Sequence, residues 1–213
     1  MNVLPPARKR TPIMKTDTTA QFGTFVNTRM KALFVAQDDK PETLKRINLA
    51  RLTPFQRGLL VSDGTVTRFI EAYTLMPVEV ALLQQTKQTL SSENIWLQLP
   101  AGAEVISRQA VLQTHSQEES SPIIHTYADS LIVPQRLPES ILNGLEFDTQ
   151  GLGGLLWRSG LETRRELLWW GIETLTDLPP VVEHLEGEKF ISRTYRMFAD
   201  QAPIMLINEK FPL

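Results

Sequence analysis

Cysteine is missing altogether from the 213 residues. That excludes disulfide scaffolds, thiolate metal sites and cysteine nucleophiles. Long apolar runs are missing too, and nothing approaches the ~18–20 residues of a membrane-spanning helix. Met1 to Lys15 carries Arg8, Lys9, Arg10 and Lys15, but no apolar stretch follows that would serve as a secretory signal. Nor is there a surplus of positive charge: 22 Lys plus Arg stand against 24 Asp plus Glu, a formal charge of −2. No global electrostatic case exists for a nucleic-acid partner. The expectation is a cytoplasmic protein without membrane insertion. Apolar residues are plentiful at 42%, and the chain length fits one domain, or one domain with a tail, that buries its own core.

Composition divides the chain unevenly. Residues 1–20 hold Pro5, Pro6, Pro12 and several threonines with little periodic hydrophobicity, and read as a flexible lead-in to a single domain at 21–213. Phe22 to Gln37 is mixed, a first short helix or a docking arm. Pro41 to Lys45 begins a helical candidate. Thr53-Pro54 supplies an N-cap and a first-turn proline for a helix through Leu60, Ser62-Asp63-Gly64 breaks it, and Thr65 to Tyr73 is a second helix. Strands are expected at Val78–Gln85, Ala103–Thr114, Ile123–Val133, Leu161–Trp170, Phe190–Phe198 and Pro203–Phe211. His115 to Ser121 is a polar turn. Short helices are expected from Pro138 to Leu145 and, after a glycine-marked turn, through Gly151–Trp157. Hairpin-length connectors imply antiparallel pairing, and segregated helices imply the α+β class.

Side chains alternate between the faces of a strand. Arg108 therefore shares a face with Ile106, Ala110 and Leu112, and Glu209 shares one with Met205, Ile207 and Phe211. Each strand places one charge among apolar neighbours, which is costly unless the charge is paired or binds a ligand. Two explanations stand: a structural Arg–Glu pair or snorkelling strand ends, or a pocket with a cation at one point and a carboxylate at another. The second suits a small anion that also carries a hydroxyl.

Other motifs exclude more than they assign. His115, His125 and His184 lack metal-ligand spacing, and no G-x-S-x-G or Walker A pattern occurs. Gly151-Leu152-Gly153-Gly154 lacks the third glycine of a dinucleotide fingerprint. It reads either as a tight turn with a helix start, or as a place where backbone N–H groups meet a carboxylate unobstructed. No metal and no cofactor is expected.

Several segments taken in order are similar to one family. They are LTPFQRGLLVSDGTVTRFIEAY (52–73), VEVALLQQ (78–85), Ser107-Arg108, YADSLIVPQRLP (127–138), GLGGLL (151–156), ETRREL (162–167) and PIMLINEKFP (203–212). From about Leu52 onward the chain resembles the chorismate pyruvate-lyase (4-hydroxybenzoate synthase) family, in its cyanobacterial and actinobacterial branch. The resemblance implies a chorismate lyase-like fold, a six-stranded antiparallel sheet with helices packed on it and an enclosed pocket. It also implies removal of pyruvate from chorismate to give 4-hydroxybenzoate, a quinone-ring precursor. Carried over position by position, Arg108 grips the ring carboxylate, the Leu152 amide assists, and Glu209 meets the ring hydroxyl. The motif Glu162, Thr163, Arg165, Glu166 is expected to form an ion-pair cluster, with Arg165 a candidate for the second carboxylate of chorismate. The same fold type also serves as the effector-binding domain of bacterial regulators, so the alternative is a non-catalytic binder of a small aromatic acid.

Overall fold

The computed structural model describes residues 28–115, 121–145 and 151–213. The expected lead-in at 1–20, most of the polar turn before Ser121 and the start of the Phe22 segment lie outside them. Six strands form one antiparallel sheet: β1 Glu79–Thr89, β2 Glu104–Thr114, β3 Ile123–Ile132, β4 Arg164–Thr174, β5 Lys189–Ala199 and β6 Ala202–Pro212. Their spatial order is β1-β2-β3-β6-β5-β4. Two three-strand meanders thus meet along the β3–β6 pair, and the chain crosses from β3 to the far edge through helices. This is the α+β sheet expected from the connectors.

Four short helices matter here: α1 Pro54–Val61, α2 Val66–Thr74, α3 Glu139–Gly144 and α4 Gly151–Ser159. None is long enough to be stable alone, so tertiary packing must hold them. α1 starts where Thr53-Pro54 predicts. The Thr53 hydroxyl accepts from the Gln56 amide at 3.2 Å and the Gln56 side chain accepts from the Thr53 amide at 2.9 Å, a reciprocal capping box. Leu60, Ile141, Leu145 and Leu156 from the helices share a core with Ile106, Ile132, Leu167, Ile191, Met197, Met205 and Ile207 of the sheet. The helices therefore cover the face on which Arg108 and Glu209 stand. The opposite face is covered by Ala36 and Leu44 against Leu168 and Trp169.

Two expectations need correction. Pro41 to Lys45 is not helical: Leu44 closes a turn onto the Pro41 carbonyl and Lys45 forms a β-bridge with Ile172. Sheet-edge pairing there outweighs a weak local helix preference. The connection between β5 and β6 is also tighter than expected. It contains only Asp200 and Gln201, both left-handed at φ 47° and 65°. That is the twist-matched geometry of a two-residue hairpin, reached here without glycine.

Candidate active site

One cavity lies between the sheet and the helices. Arg108, Leu152 and Glu209 all line it, together with Thr126, Ser130, Arg165, Tyr195 and Ile207. About 80 Å³ of it admits the centre of a water-sized sphere. At about 10–15 Å³ per water by the same measure, that is space for a small substituted ring and not for a polymer.

The floor follows from register. Arg108 pairs with Ser130, and Ser130 with Ile207. Two rungs along, Ala110 pairs with Ala128, and Ala128 with Glu209. The arginine and the glutamate thus sit two strands and two residues apart on the same face. Standard sheet spacings put their Cα atoms roughly 12 Å apart. Between them lie Ala110, Ala128 and Ser130, whose short side chains leave depth over the centre of the sheet.

Arg108 is 4% exposed. Its Nη1 donates to the Gln85 side-chain oxygen at 2.8 Å and to the Leu145 carbonyl, at the end of α3, at 3.0 Å. Among the described residues no carboxylate pairs with it. Burial holds its pKa below the ordinary arginine value. A guanidinium placed this way pays a desolvation cost, and among the described residues no carboxylate offsets it.

Glu209 is in a different state. Arg193, fully buried on β5, is its direct neighbour across the β5–β6 pair. Arg193 Nε donates to Glu209 Oε2 at 2.8 Å, and Nη2 lies 2.7 Å from the same oxygen. The Tyr195 hydroxyl donates to Oε1 at 3.1 Å. Burial above all, and then the Glu209 charge, push the Tyr195 pKa up, so the phenol stays protonated and a donor. Arg193 is itself anchored by Nη1 donating to the Ser62 carbonyl at 2.6 Å, just past the end of α1, where the helix dipole favours a cation. A structural Arg–Glu pair therefore exists, but Glu209 takes Arg193 as its partner, and among the described residues Arg108 has no carboxylate partner.

Arg193 and Tyr195 were not singled out from the sequence, although the signal was present. Ile191, Arg193, Tyr195 and Met197 alternate along β5 as Ile106, Arg108 and Ala110 do along β2. The expected ion-pair cluster at 162–166 does not form. Strand alternation sends Glu166 to the other face, where it accepts from Arg196 Nε at 2.6 Å, and Glu162 is exposed. Arg165 faces the cavity.

Leu152 sits in the first turn of α4, where backbone N–H groups have no intrahelical acceptor. The glycines beside it are sterically required. Gly151 is left-handed at φ 72°, and a Cβ there would come 2.9 Å from Val80 Cγ2. A Cβ on Gly153 would come 2.8 Å from Thr65 Cγ2. Their absence of side chain lets the helix start close over the cavity. Among the described residues no group of three or more His, Asp or Glu side chains is placed to hold a metal, and no helix is long and apolar enough to cross a membrane.

These features define a class: an antiparallel-sheet domain with a ring-sized cavity lined by an arginine that no described carboxylate pairs. Within that class, the chain belongs to the family described as chorismate pyruvate-lyase Rv2949c-like, whose model matches residues 60–213. It is 28% identical over 165 residues to the chorismate pyruvate-lyase of Mycobacterium tuberculosis (strain ATCC 25618 / H37Rv), covering 73% of this chain and 78% of the relative. It is 25% identical over 175 residues to the Mycobacterium leprae (strain TN) protein of the same name, covering 79% of each. Among solved structures, the effector domain of PhnF from Mycobacterium smegmatis shares the fold. The TM-score is 0.52 at 14% identity, over 70% of this chain and 88% of that one.

Proposed function

We propose that the chain is a chorismate pyruvate-lyase, releasing 4-hydroxybenzoate and pyruvate from chorismate, and that Arg108, Leu152 and Glu209 form its substrate site. The observation that carries this reading is Arg108, a buried guanidinium facing a ring-sized cavity with no carboxylate partner among the described residues. It takes the ring carboxylate as a planar fork, and the Leu152 amide adds a donor at the start of α4. Glu209, one strand beyond β3 and two rungs along, accepts from the ring hydroxyl. In the reaction the bond between the ring and the ether oxygen breaks. The ring carbon bearing the hydroxyl loses its proton, the ring becomes aromatic, and the side-chain methylene gains a proton as pyruvate leaves. Aromatisation drives the step overall. The protein supplies orientation and preorganised charge, worth roughly 7–11 kcal/mol for well-placed reacting groups.

Incubating the purified chain with chorismate and separating the products by chromatography tests this directly. Stoichiometric 4-hydroxybenzoate and pyruvate are expected. A chain that binds 4-hydroxybenzoate yet leaves chorismate intact is a binding domain and not a lyase. Glu209→Gln tests the far end of the ring. An amide at this position can keep its oxygen on Arg193 and donate its N–H₂ to the Tyr195 hydroxyl, so the variant removes the negative charge with little change of geometry. Turnover should fall about 10²-fold or more where Glu209 takes the proton from the ring carbon, and only mildly where it orients the hydroxyl. A variant retaining over a tenth of the wild-type rate would reduce Glu209 to a dispensable acceptor.

A further inference from the structure

The cavity holds a second arginine that the assignment above leaves unused. Arg165 stands on β4 opposite Met197, and Leu167, two residues on, stands opposite Tyr195, so Arg165 points to the same face as the proposed site. Its Nη1 donates to the Asp63 carbonyl at 2.6 Å, in the loop between α1 and α2. Its guanidinium lies 5.9 Å from the centre of the Tyr195 ring. Its Nε is buried with no hydrogen-bond partner, and among the described residues no carboxylate pairs with it. A buried, charged N–H left unsatisfied is costly, and a native structure keeps one for a reason.

The charges around the cavity make the requirement quantitative. Arg193 and Glu209 neutralise each other. Among the described residues Arg108 and Arg165 have no such carboxylate partner, so two guanidinium groups line the cavity without a counter-ion there. These enter from strands on opposite sides of β6, since β2 lies two strands to one side of it and β4 two strands to the other. A ligand with one carboxylate answers Arg108 and leaves Arg165 bare. A ligand with a second carboxylate, on a substituent beside the ring hydroxyl, answers both.

We infer that Arg165 is the second anion-binding group of this site, so that the cavity selects a dianionic cyclic acid over a monoanionic one. This rests on the lyase reading for the identity of the natural dianion. Under that reading the two carboxylates part company in the reaction, one leaving on pyruvate and one staying on the ring. Each product is then held by one arginine only, and the substrate by both.

The test uses two ring ligands and no turnover. Binding of 4-hydroxybenzoate, a monoanion, is compared by calorimetry with binding of 3-(carboxymethoxy)-4-hydroxybenzoate, which adds a carboxylate on an ether substituent beside the hydroxyl. The wild-type chain should prefer the dianion by about 10- to 100-fold, the scale of one charge-assisted hydrogen-bonded pair. Arg165→Gln should erase that preference while leaving 4-hydroxybenzoate affinity within about threefold, and Arg165→Lys should restore part of it. Retained 4-hydroxybenzoate binding shows that each variant is folded. An unchanged preference in Arg165→Gln, or no preference in the wild type, overturns the assignment. In the chromatographic assay, Arg165→Gln should raise the KM for chorismate by a similar factor. A wild-type chain that leaves chorismate intact would sink the lyase reading alone, because the comparison of the two ring ligands judges Arg165 without it.

Discussion

Replacing Arg108 by methionine should abolish measurable binding of 4-hydroxybenzoate without lowering thermal stability. Binding and stability separate here because the guanidinium serves them in opposite directions. Toward a carboxylate it offers two charge-assisted bonds, each worth about 1.5–3 kcal/mol. Their loss weakens binding by roughly 10²- to 10⁴-fold at 1.4 kcal/mol per decade. In the free protein the same group is a buried charge with no counter-ion among the described residues, held at a lowered pKa by desolvation. Methionine removes that cost and fills comparable volume. Against this stands the lost donor to the Leu145 carbonyl and the Gln85 side chain, about 1–3 kcal/mol if they stay unsatisfied. The two effects are of similar size, so the net change in unfolding free energy is small. Thermal unfolding with and without ligand reads both quantities. At a ligand concentration 100 times the dissociation constant the wild type gains about 2.7 kcal/mol, roughly 5–10 °C for a chain of this size. Arg108→Met should show no ligand-induced shift from an unshifted baseline. A ligand-induced shift of wild-type size in that variant would remove Arg108 from the site. Arg108→Ala should lose the same affinity but also some stability, because it leaves a void.

The contrast between Arg108 and Glu209 shows what one-dimensional reading does and does not reach. Alternation along β2 and β6 placed both charges on the apolar face, because strand period is local and depends only on neighbours two residues away. The N-cap at Thr53 and the closing hairpin, though not its two-residue connector, were legible for the same reason. Pairing is not local. That Glu209 is neutralised by Arg193 depends on β5 lying beside β6, and that Arg108 is not depends on β3 contributing Ser130 and Ala128 in place of an acid. Neither fact is written in either strand. The resemblance to a known family supplied residues, but not the distinction between a paired and an unpaired arginine. The helical expectation at 41–45 failed on similar grounds, since the bridge from Lys45 to Ile172 joins positions far apart in the chain.

Arg193 should therefore be the position where one substitution does most damage to the fold. Arg193→Met leaves Glu209, 8% exposed, as a buried carboxylate whose remaining donor is the Tyr195 hydroxyl, and strips the Ser62 carbonyl of its partner. Breaking a buried pair from one side costs about 3–5 kcal/mol. For a domain of this length that is a fall in melting temperature of roughly 6–20 °C. The double variant Arg193→Met, Glu209→Leu should recover much of that loss. With both charges gone no desolvation cost remains, and apolar replacements of buried pairs are often neutral or better. Urea unfolding of the two single variants and the double variant closes the cycle, and a coupling of at least about 1 kcal/mol in this direction is expected. Turnover should be absent in the double variant even where stability returns, because the proposed acceptor for the ring hydroxyl has gone with the charge. An Arg193→Met protein as stable as the wild type would mean that the carboxylate is not held by this arginine in solution. The fixed geometry assigned to Glu209 would then have no support.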